Sequence, residues 1–206
     1  MSMTLPSFRI DAGGLLQHVS RVAYRNEPLH FGCNGVNRYD APKRDFGVLY
    51  LGRDLATALM ESIFHQHRWL ADATRLVMQQ EIQRRMVRAV GVLEALCLAD
   101  LTATGVMAGV FGLNLEQLVA RDYAYTQQVS TQVHAMRKNG IPLFDGVLYP
   151  SRNNYPAQNV ALFDRAGKKV KVIADIDLVE HVDWPRFVTD YRIAVASDLG
   201  LTHQIR

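Results

Sequence analysis

The 206-residue sequence contains few cysteines and no long apolar run. Two cysteines, Cys33 and Cys97, are too few for the disulfide framework that stabilises small secreted domains. No segment reaches the roughly 18 to 20 uninterrupted apolar residues that a membrane-spanning helix requires. The first eleven residues lack a basic region followed by an apolar segment, so they show no secretory signal. These absences predict a cytoplasmic protein that does not bind a membrane.

The sequence also lacks a strong net charge of either sign. It has 23 basic and 20 acidic residues, which give a net charge of +3. A nucleic-acid-binding protein usually presents a basic face or stripe, so we expect no direct binding to nucleic acid. Five of the 23 basic residues are lysines, which leaves 18 arginines. An arginine excess is of interest because the planar guanidinium group binds phosphate and carboxylate groups well.

Several motifs of well-characterised enzymes are absent from the sequence. It has no P-loop, no Gly-x-Gly-x-x-Gly after a strand, no Gly-x-Ser-x-Gly and no His-Glu-x-x-His. His65 and His67 form the one close histidine pair. On a helix they would lie about 200° apart and could not share a metal ion, although on a strand they could. We therefore predict no metal site and no resident cofactor.

The order of apolar and turn-forming segments predicts an α+β fold in one domain over residues 1–206. Apolar segments typical of strands occupy residues 15–24, 46–51, 146–149, 158–163 and 169–176, with one or two more within 79–101. Two helices are predicted, one from the N-cap Asp54 to about His67 and one over 115–138, with Gly140 as its stop. A long ordered loop spans residues 26–46. Because strands outnumber helices without regular alternation, we expect a single mixed, largely antiparallel sheet.

Polar side chains stand beside apolar segments at five positions in this arrangement. They are Arg21, Arg38, Tyr50, Glu61 and Ser151. Each also has an ordinary structural explanation, since tyrosine is common in cores, glutamate on solvated helix faces and serine in turns. Taken one at a time, these residues therefore do not define a site.

The segments around these residues together resemble the RES-domain toxins. In chain order the matching segments are Pro28-Leu-His-Phe, Asn37-Arg-Tyr-Asp, Gly47-Val-Leu-Tyr-Leu-Gly, Thr57-Ala-Leu-Met-Glu, Asp145-Gly-Val-Leu-Tyr-Pro-Ser-Arg-Asn and Gln158-Asn-Val-Ala-Leu-Phe. The resemblance extends over about residues 15–165, and residues 176–206 form a tail of unassigned role. The Arg, Glu and Ser for which the family is named would be Arg38, Glu61 and Ser151.

The resemblance implies both a fold and a function. The fold would be similar to that of ADP-ribosyltransferase toxins. The protein would be the toxin of a bacterial type II toxin–antitoxin system that degrades its substrate NAD+ and is blocked by an Xre-like helix-turn-helix antitoxin. Water, phosphate as a co-substrate, or a protein side chain could accept the ADP-ribosyl group. The last case would make the protein an ADP-ribosyltransferase. A non-catalytic module that holds a nucleotide or the antitoxin is the alternative from another class.

Cleavage of the nicotinamide–ribose bond suits the residue types that the resemblance brings together. The transition state resembles an oxocarbenium ion, as in glycoside hydrolysis, and a carboxylate such as Glu61 would stabilise it. Tyr50 would provide an aromatic face for nicotinamide. We expect Glu61, Arg38, Tyr50 and Ser151 to be catalytic. Residues expected to bind NAD+ are Arg21, Arg38, Tyr50, Ser151 and Arg152, with Arg25 as the alternative to Arg21.

Overall fold

The computed structural model describes residues 5–65, 74–120 and 122–197 of the chain. The strands are β1 (Ser7–Ile10), β2 (Leu15–Arg21), β3 (Val48–Gly52), β4 (Arg75–Met78), β5 (Arg85–Val92), β6 (Leu96–Asp100), β7 (Arg137–Lys138), β8 (Ile141–Pro142), β9 (Gly146–Pro150), β10 (Gln158–Phe163), β11 (Val170–Asp177) and β12 (Ile193–Ala196). The helices are α1 (Leu55–Met60), α2 (Gln79–Gln83), α3 (Leu115–Val119), α4 (Ala124–Ala135) and α5 (Trp184–Asp190).

An eight-stranded sheet forms the centre of the fold. Its strand order is β1-β6-β9-β10-β3-β2-β5-β11. β6 and β9 run parallel, and the other neighbouring pairs run antiparallel. Helices are few and follow no regular alternation with the strands. The predicted α+β fold with a largely antiparallel sheet is therefore confirmed.

The sheet opens between β2 and β3. These strands pair only at Gln17 and Gly52, whereas β2 pairs with β5 along its whole length. The side chain of His18 bridges the opening, because its Nδ1 lies 2.9 Å from the carbonyl oxygen of Tyr50 and must donate to it. The two strands are thus joined loosely, and β3 is not paired with β2 before Gly52.

Helix α1 packs closely over the end of β3. A Cβ atom built on Gly52 would lie 2.5 Å from the backbone nitrogen of Ala58, so only glycine allows this approach. On the same side, α1 and α5 share an apolar core that includes Leu59, Phe64 and Phe187. This packing holds the C-terminal end of α1 in place.

The N-terminus of α1 is as predicted, but its C-terminus is not. Asp54 caps the helix, since its Oδ1 accepts a hydrogen bond of 2.7 Å from the backbone nitrogen of Thr57. The prediction of a helix to about His67 is wrong, because α1 ends at Met60. The hydroxyl of Ser62 donates to the carbonyl of Ala58 at 2.7 Å, and so takes an acceptor that a longer helix would use. His67 lies outside the described residues, so the His65–His67 pair is not described.

The second predicted helix is also interrupted. Residues 115–138 form two helices, α3 and α4, followed by the short strand β7. Gly140 is not the stop of a helix. Asn139 and Gly140 have φ values of 53° and 80° and join β7 to β8 in a hairpin, for which the Asn-Gly pair is the favoured turn.

The remaining predicted strands lie close to where the sequence placed them. The segment predicted as a strand over 15–24 is extended as far as Arg21 and then forms a 3-10 turn over Val22–Tyr24. β3, β9, β10 and β11 match their predictions, and β5 and β6 are the strands predicted within 79–101. The elements that were not predicted are β1, β4, β7, β8, β12, α2 and α5. The tail contributes α5 and β12, and its residues 198–206 lie outside the described part. No helix among the described residues has the length and apolarity needed to cross a membrane.

Candidate active site

The carboxylate of Glu61 is held by the loop that follows β9. Glu61 is the C-terminal cap of α1. Its Oε1 accepts hydrogen bonds from the Ser151 hydroxyl at 2.6 Å and from the backbone nitrogens of Arg152 and Asn153 at 3.0 and 3.4 Å. Its Oε2 makes no hydrogen bond to any described residue. One oxygen therefore fixes the carboxylate, and the other remains available for chemistry.

The loop that holds Glu61 is closed by its own hydrogen bonds. The backbone nitrogen of Ser151 donates to the carbonyl of Ala157 at 2.8 Å, and the nitrogen of Ala157 donates to the carbonyl of Asn154 at 2.8 Å. The backbone nitrogen of Asn154 donates to the Ser151 hydroxyl at 2.9 Å. Asn153 Nδ2 donates to the carbonyl of Met60 at 3.1 Å and so joins the loop to the last turn of α1.

A buried carboxylate, Asp40, organises the loop that carries Arg38. Oδ2 of Asp40 accepts hydrogen bonds from the backbone nitrogens of Val36 and Asn37 at 3.1 and 2.9 Å. Its Oδ1 accepts one from the Tyr50 hydroxyl at 2.9 Å. Because the residue is only 1% exposed, Asp40 needs these donors to offset the cost of its burial. The loop around Arg38 is therefore tied to β3.

The Tyr50 hydroxyl is fully engaged by the protein. It donates to Asp40 and accepts a hydrogen bond of 2.8 Å from the backbone nitrogen of Tyr39. Burial raises the pKa of Tyr50 well above its usual value, and the charge of Asp40 adds to this effect. Tyr50 can therefore present its ring to a ligand, but not its hydroxyl.

Arg38 lies beside this pair and forms no ion pair with a described carboxylate. Its Nη2 donates to the carbonyl of Leu118 at 2.9 Å and its Nη1 to that of Pro150 at 3.4 Å. The guanidinium carbon lies 5.4 Å from the ring centre of Tyr39 and 5.6 Å from that of Tyr149. Its buried Nε has no hydrogen-bond partner among the described residues. The group can therefore bind an anion.

The two partners of the hydrogen bond between Ser151 and Glu61 line two different cavities. A narrow cavity of about 60 Å³ lies beside the opening between β2 and β3, and Glu61 lines it. A wider cavity of about 260 Å³ has Ser151 in its wall. The narrow cavity is lined by Gln17, His18, Val19, Tyr50, Leu51, Gly52, Ala58, Glu61, Ser62, Tyr149 and Asn159. The wider one is lined by Arg38, Tyr39, Met107, Leu115, Leu118, Pro150, Ser151, Arg152 and Tyr155.

The narrow cavity carries its charge on Glu61. Burial lowers the pKa of His18, so that its ring is neutral at pH 7. Burial raises the pKa of Tyr149 well above its usual value, and the nearby Glu61 carboxylate adds to the shift. The described walls of the narrow cavity therefore present one negative charge, and Arg38 brings a positive charge to the wider cavity.

The structure brings together most of the predicted site residues. Arg38, Tyr50, Glu61 and Ser151 line the two cavities. Arg152 lines the wider one and also donates its backbone amide to Glu61.

Arg21 and Arg25 lie elsewhere. Arg21 is at the exposed end of β2 and lines neither cavity. Arg25 forms an ion pair with Asp177 on β11 and lines a larger cavity of about 800 Å³ that does not contain Glu61. Neither arginine hydrogen-bonds to Glu61 among the described contacts, and a role for either in binding NAD+ stays a prediction.

The residues that support the site are not among the predicted ones. Asp40 closes the segment Asn37-Arg-Tyr-Asp, and an aspartate in a turn often accepts backbone amides, which is a signal that could have identified it. Asn153 and Asn154 directly follow Ser151, where asparagine also indicates a turn. His18 and Tyr149 lie within strands and give no comparable signal. Among the described residues, no group of three or more His, Cys, Asp or Glu side chains could hold a metal ion.

A model of the RES domain family matches residues 15–186. This range contains most of the chain and every predicted site residue. The chain belongs to the RES domain family. The match confirms the resemblance to this family. It also extends beyond residue 165, where the resemblance seen in the sequence motifs ends. The RES domain is associated with toxin–antitoxin systems and suggests an ADP-ribosyltransferase-like enzyme superfamily. No curated protein matches the chain.

Proposed function

We propose that this RES domain is a toxin that cleaves the nicotinamide–ribose bond of NAD+. The observation that supports this most directly is the carboxylate of Glu61, which is fixed through Oε1 and leaves Oε2 without a hydrogen bond to any described residue. A carboxylate held in this way can stabilise a positive charge that develops at a sugar carbon.

The nicotinamide end of the substrate suits the narrow cavity. The pyridinium ring is cationic, and the described cavity walls offer the carboxylate of Glu61, a neutral His18 and the ring of Tyr50. A protonated His18 would repel the ring, so its lowered pKa favours binding. The cavity must widen to admit the ring, and a single residue pair joins β2 to β3 at this point.

The pyrophosphate suits the wider cavity beside Arg38. Phosphate oxygens would replace the carbonyls of Leu118 and Pro150 as acceptors for the guanidinium group. Ser151 has one hydroxyl proton, which it donates to Glu61. In this proposal Ser151 therefore acts by holding the carboxylate, and Arg38 is the main group that binds phosphate.

The leaving group of this reaction needs no general acid. As the carbon–nitrogen bond breaks, its electron pair returns to the pyridinium nitrogen and nicotinamide leaves as a neutral molecule. Oε2 of Glu61 faces the positive charge that develops on the ribose carbon. The oxygen of water or phosphate then forms the new bond to that carbon, and a proton of water, where water attacks, passes to solvent.

Loss of NAD+ would stop growth, which is the expected effect of a toxin. The association of RES domains with toxin–antitoxin systems supports this biological role. The partner we propose is an Xre-like helix-turn-helix antitoxin that blocks the site.

Expression of the chain without a partner tests the proposal. After expression of the natural chain is induced, the cellular NAD+ concentration should fall. It should stay constant after expression of Glu61→Gln. Glu94→Gln is the matched control, because Glu94 is exposed and its side chain makes no hydrogen bond to a described residue. This control should behave like the natural chain. Constant NAD+ with folded protein would overturn the proposal, and accumulation of an ADP-ribosylated protein instead would favour transfer to a protein acceptor.

A further inference from the structure

The side chain of Tyr191 contacts the loop that holds Glu61. Tyr191 follows the last residue of α5 and lies beyond the residues that match the RES domain family. Its hydroxyl donates a hydrogen bond of 2.8 Å to Oδ1 of Asn154. Its ring stacks on Phe187 with 4.6 Å between the ring centres. The tail of the chain is therefore in contact with the candidate site.

Asn154 connects Tyr191 to the carboxylate of Glu61 through hydrogen bonds. Its backbone nitrogen donates to the Ser151 hydroxyl at 2.9 Å, and that hydroxyl donates to Glu61 at 2.6 Å. Two hydrogen bonds thus connect Asn154 to the carboxylate. The side chain of Asn154 also donates to the Thr57 hydroxyl, at 3.5 Å. Since this second bond is long, the bond from Tyr191 is the stronger restraint on the Asn154 side chain.

We infer that Tyr191 is a positioning residue for Glu61, an inference that rests on the proposed function. All three donors to Oε1 belong to the loop over residues 151–154. A shift of this loop therefore moves the carboxylate, and a small misplacement of a reacting group lowers the rate of a reaction markedly. Tyr191 touches neither of the two cavities that a dinucleotide would fill. It should therefore affect the chemical step more than substrate binding.

The packing of Tyr191 does not depend on its hydroxyl. The ring lies on Phe187, which in turn packs 5.3 Å from the ring centre of Phe64 in the core beneath α1. Tyr191→Phe keeps these ring contacts and removes one hydrogen bond. The variant therefore tests the restraint on the loop without removing the ring contacts that hold α5.

Amide hydrogen exchange tests the inference without substrate. In Tyr191→Phe the backbone amides of Arg152 and Asn153 should exchange roughly fivefold faster, the effect of losing one neutral hydrogen bond. Tyr125→Phe is the matched control, because Tyr125 is exposed and its hydroxyl makes no hydrogen bond to a described residue. Unchanged exchange at both amides in Tyr191→Phe would overturn the inference.

Kinetics provide the second readout. For NAD+ cleavage, kcat of Tyr191→Phe should fall roughly fivefold with KM unchanged. Adding Asn154→Ala to Tyr191→Phe should lower kcat little further, because the two residues act through one contact. An unchanged kcat, or a change in KM alone, contradicts the inference. If the natural chain cleaves no NAD+, the proposed function fails, and amide exchange alone then decides whether Tyr191 positions the loop.

Discussion

The Ser151 hydroxyl lies 2.6 Å from Oε1 of Glu61, although the two residues are 90 positions apart in the sequence. This hydrogen bond joins the loop after β9 to the end of α1. Glu61 lines the narrow cavity, and Ser151 lines the wider one. In the proposed function, the two residues thus mark the point at which the nicotinamide would meet the rest of the dinucleotide.

Removal of this hydrogen bond should slow the reaction. Ser151→Ala leaves Oε1 with the two backbone donors and removes the acceptor for the backbone nitrogen of Asn154. We expect kcat for NAD+ cleavage to fall roughly tenfold or more, because a hydrogen bond to a charged group is lost. Steady-state kinetics measure this effect, and thermal unfolding shows whether the variant is folded. A folded variant with the natural kcat would contradict the role assigned to Ser151.

The hydroxyl and the ring of Tyr50 should have separable effects. Tyr50→Phe leaves the buried Asp40 without one donor, so we expect the free energy of unfolding to fall by about 1–3 kcal/mol. Because the ring remains, the affinity for NAD+ should change little. Tyr50→Leu removes the ring as well and should weaken binding. Denaturant unfolding measures the first effect, and calorimetric titration with NAD+ measures the second, with Glu61→Gln added to both variants so that NAD+ is not cleaved. Equal binding by both variants would contradict a role for the ring.

Substrate binding should depend on the planar guanidinium group of Arg38 more than on its positive charge. Arg38→Lys keeps one positive charge but cannot bind two phosphate oxygens in one plane. We expect KM for NAD+ to rise roughly tenfold, equivalent to one lost charge-assisted hydrogen bond. Arg9→Lys is the control, since Arg9 is exposed and pairs only with Asp11 among the described residues. If both variants have the natural KM, Arg38 does not bind the substrate phosphates.

Stability should decrease as the pH falls below neutrality. Burial, with the charges of Arg165 and Arg137, lowers the pKa of His134 to about 4, from 6.5 in the unfolded chain. Between these values the unfolded state binds a proton that the folded state does not, so the free energy of unfolding decreases as the pH falls from 6.5 to 4. His134 stacks on Phe46 at 3.9 Å, and His134→Phe keeps an aromatic ring there.

The variant should show a smaller drop in Tm between pH 7.5 and pH 5 than the natural chain. Some drop should remain, because burial also lowers the pKa values of His18 and His181. An identical drop in both proteins would show that folding does not lower the pKa of His134.

The sequence predicted those parts of the fold that local chemistry determines. Asp54 caps α1 because its carboxylate reaches the amide three residues on. β9 and β10 consist mainly of apolar residues bounded by turn-forming residues, which is the pattern of a buried strand. The end of α1 was missed, because the Ser62 hydroxyl competes for a helix carbonyl and an apolar pattern does not show this.

The site was predictable only in part, for a related reason. Motif resemblance identified Arg38, Glu61 and Ser151, which the structure places around two cavities. The contacts that support them join distant positions. His18 reaches Tyr50 across 32 residues and Tyr191 reaches Asn154 across 37. Such pairs depend on how the strands pair and how α5 packs, which side-chain periodicity does not specify.

Proton NMR of NAD+ incubated with the purified chain tests the central claim most directly. Parallel samples contain phosphate, no phosphate, or Glu61→Gln in place of the natural chain. The account predicts that NAD+ signals disappear and free nicotinamide appears with the natural chain but not with Glu61→Gln. ADP-ribose would identify water as the acceptor, and ADP-ribose 1″-phosphate formed only with phosphate would identify phosphorolysis. Intact NAD+ in every sample, with folded protein free of any partner, would contradict the account.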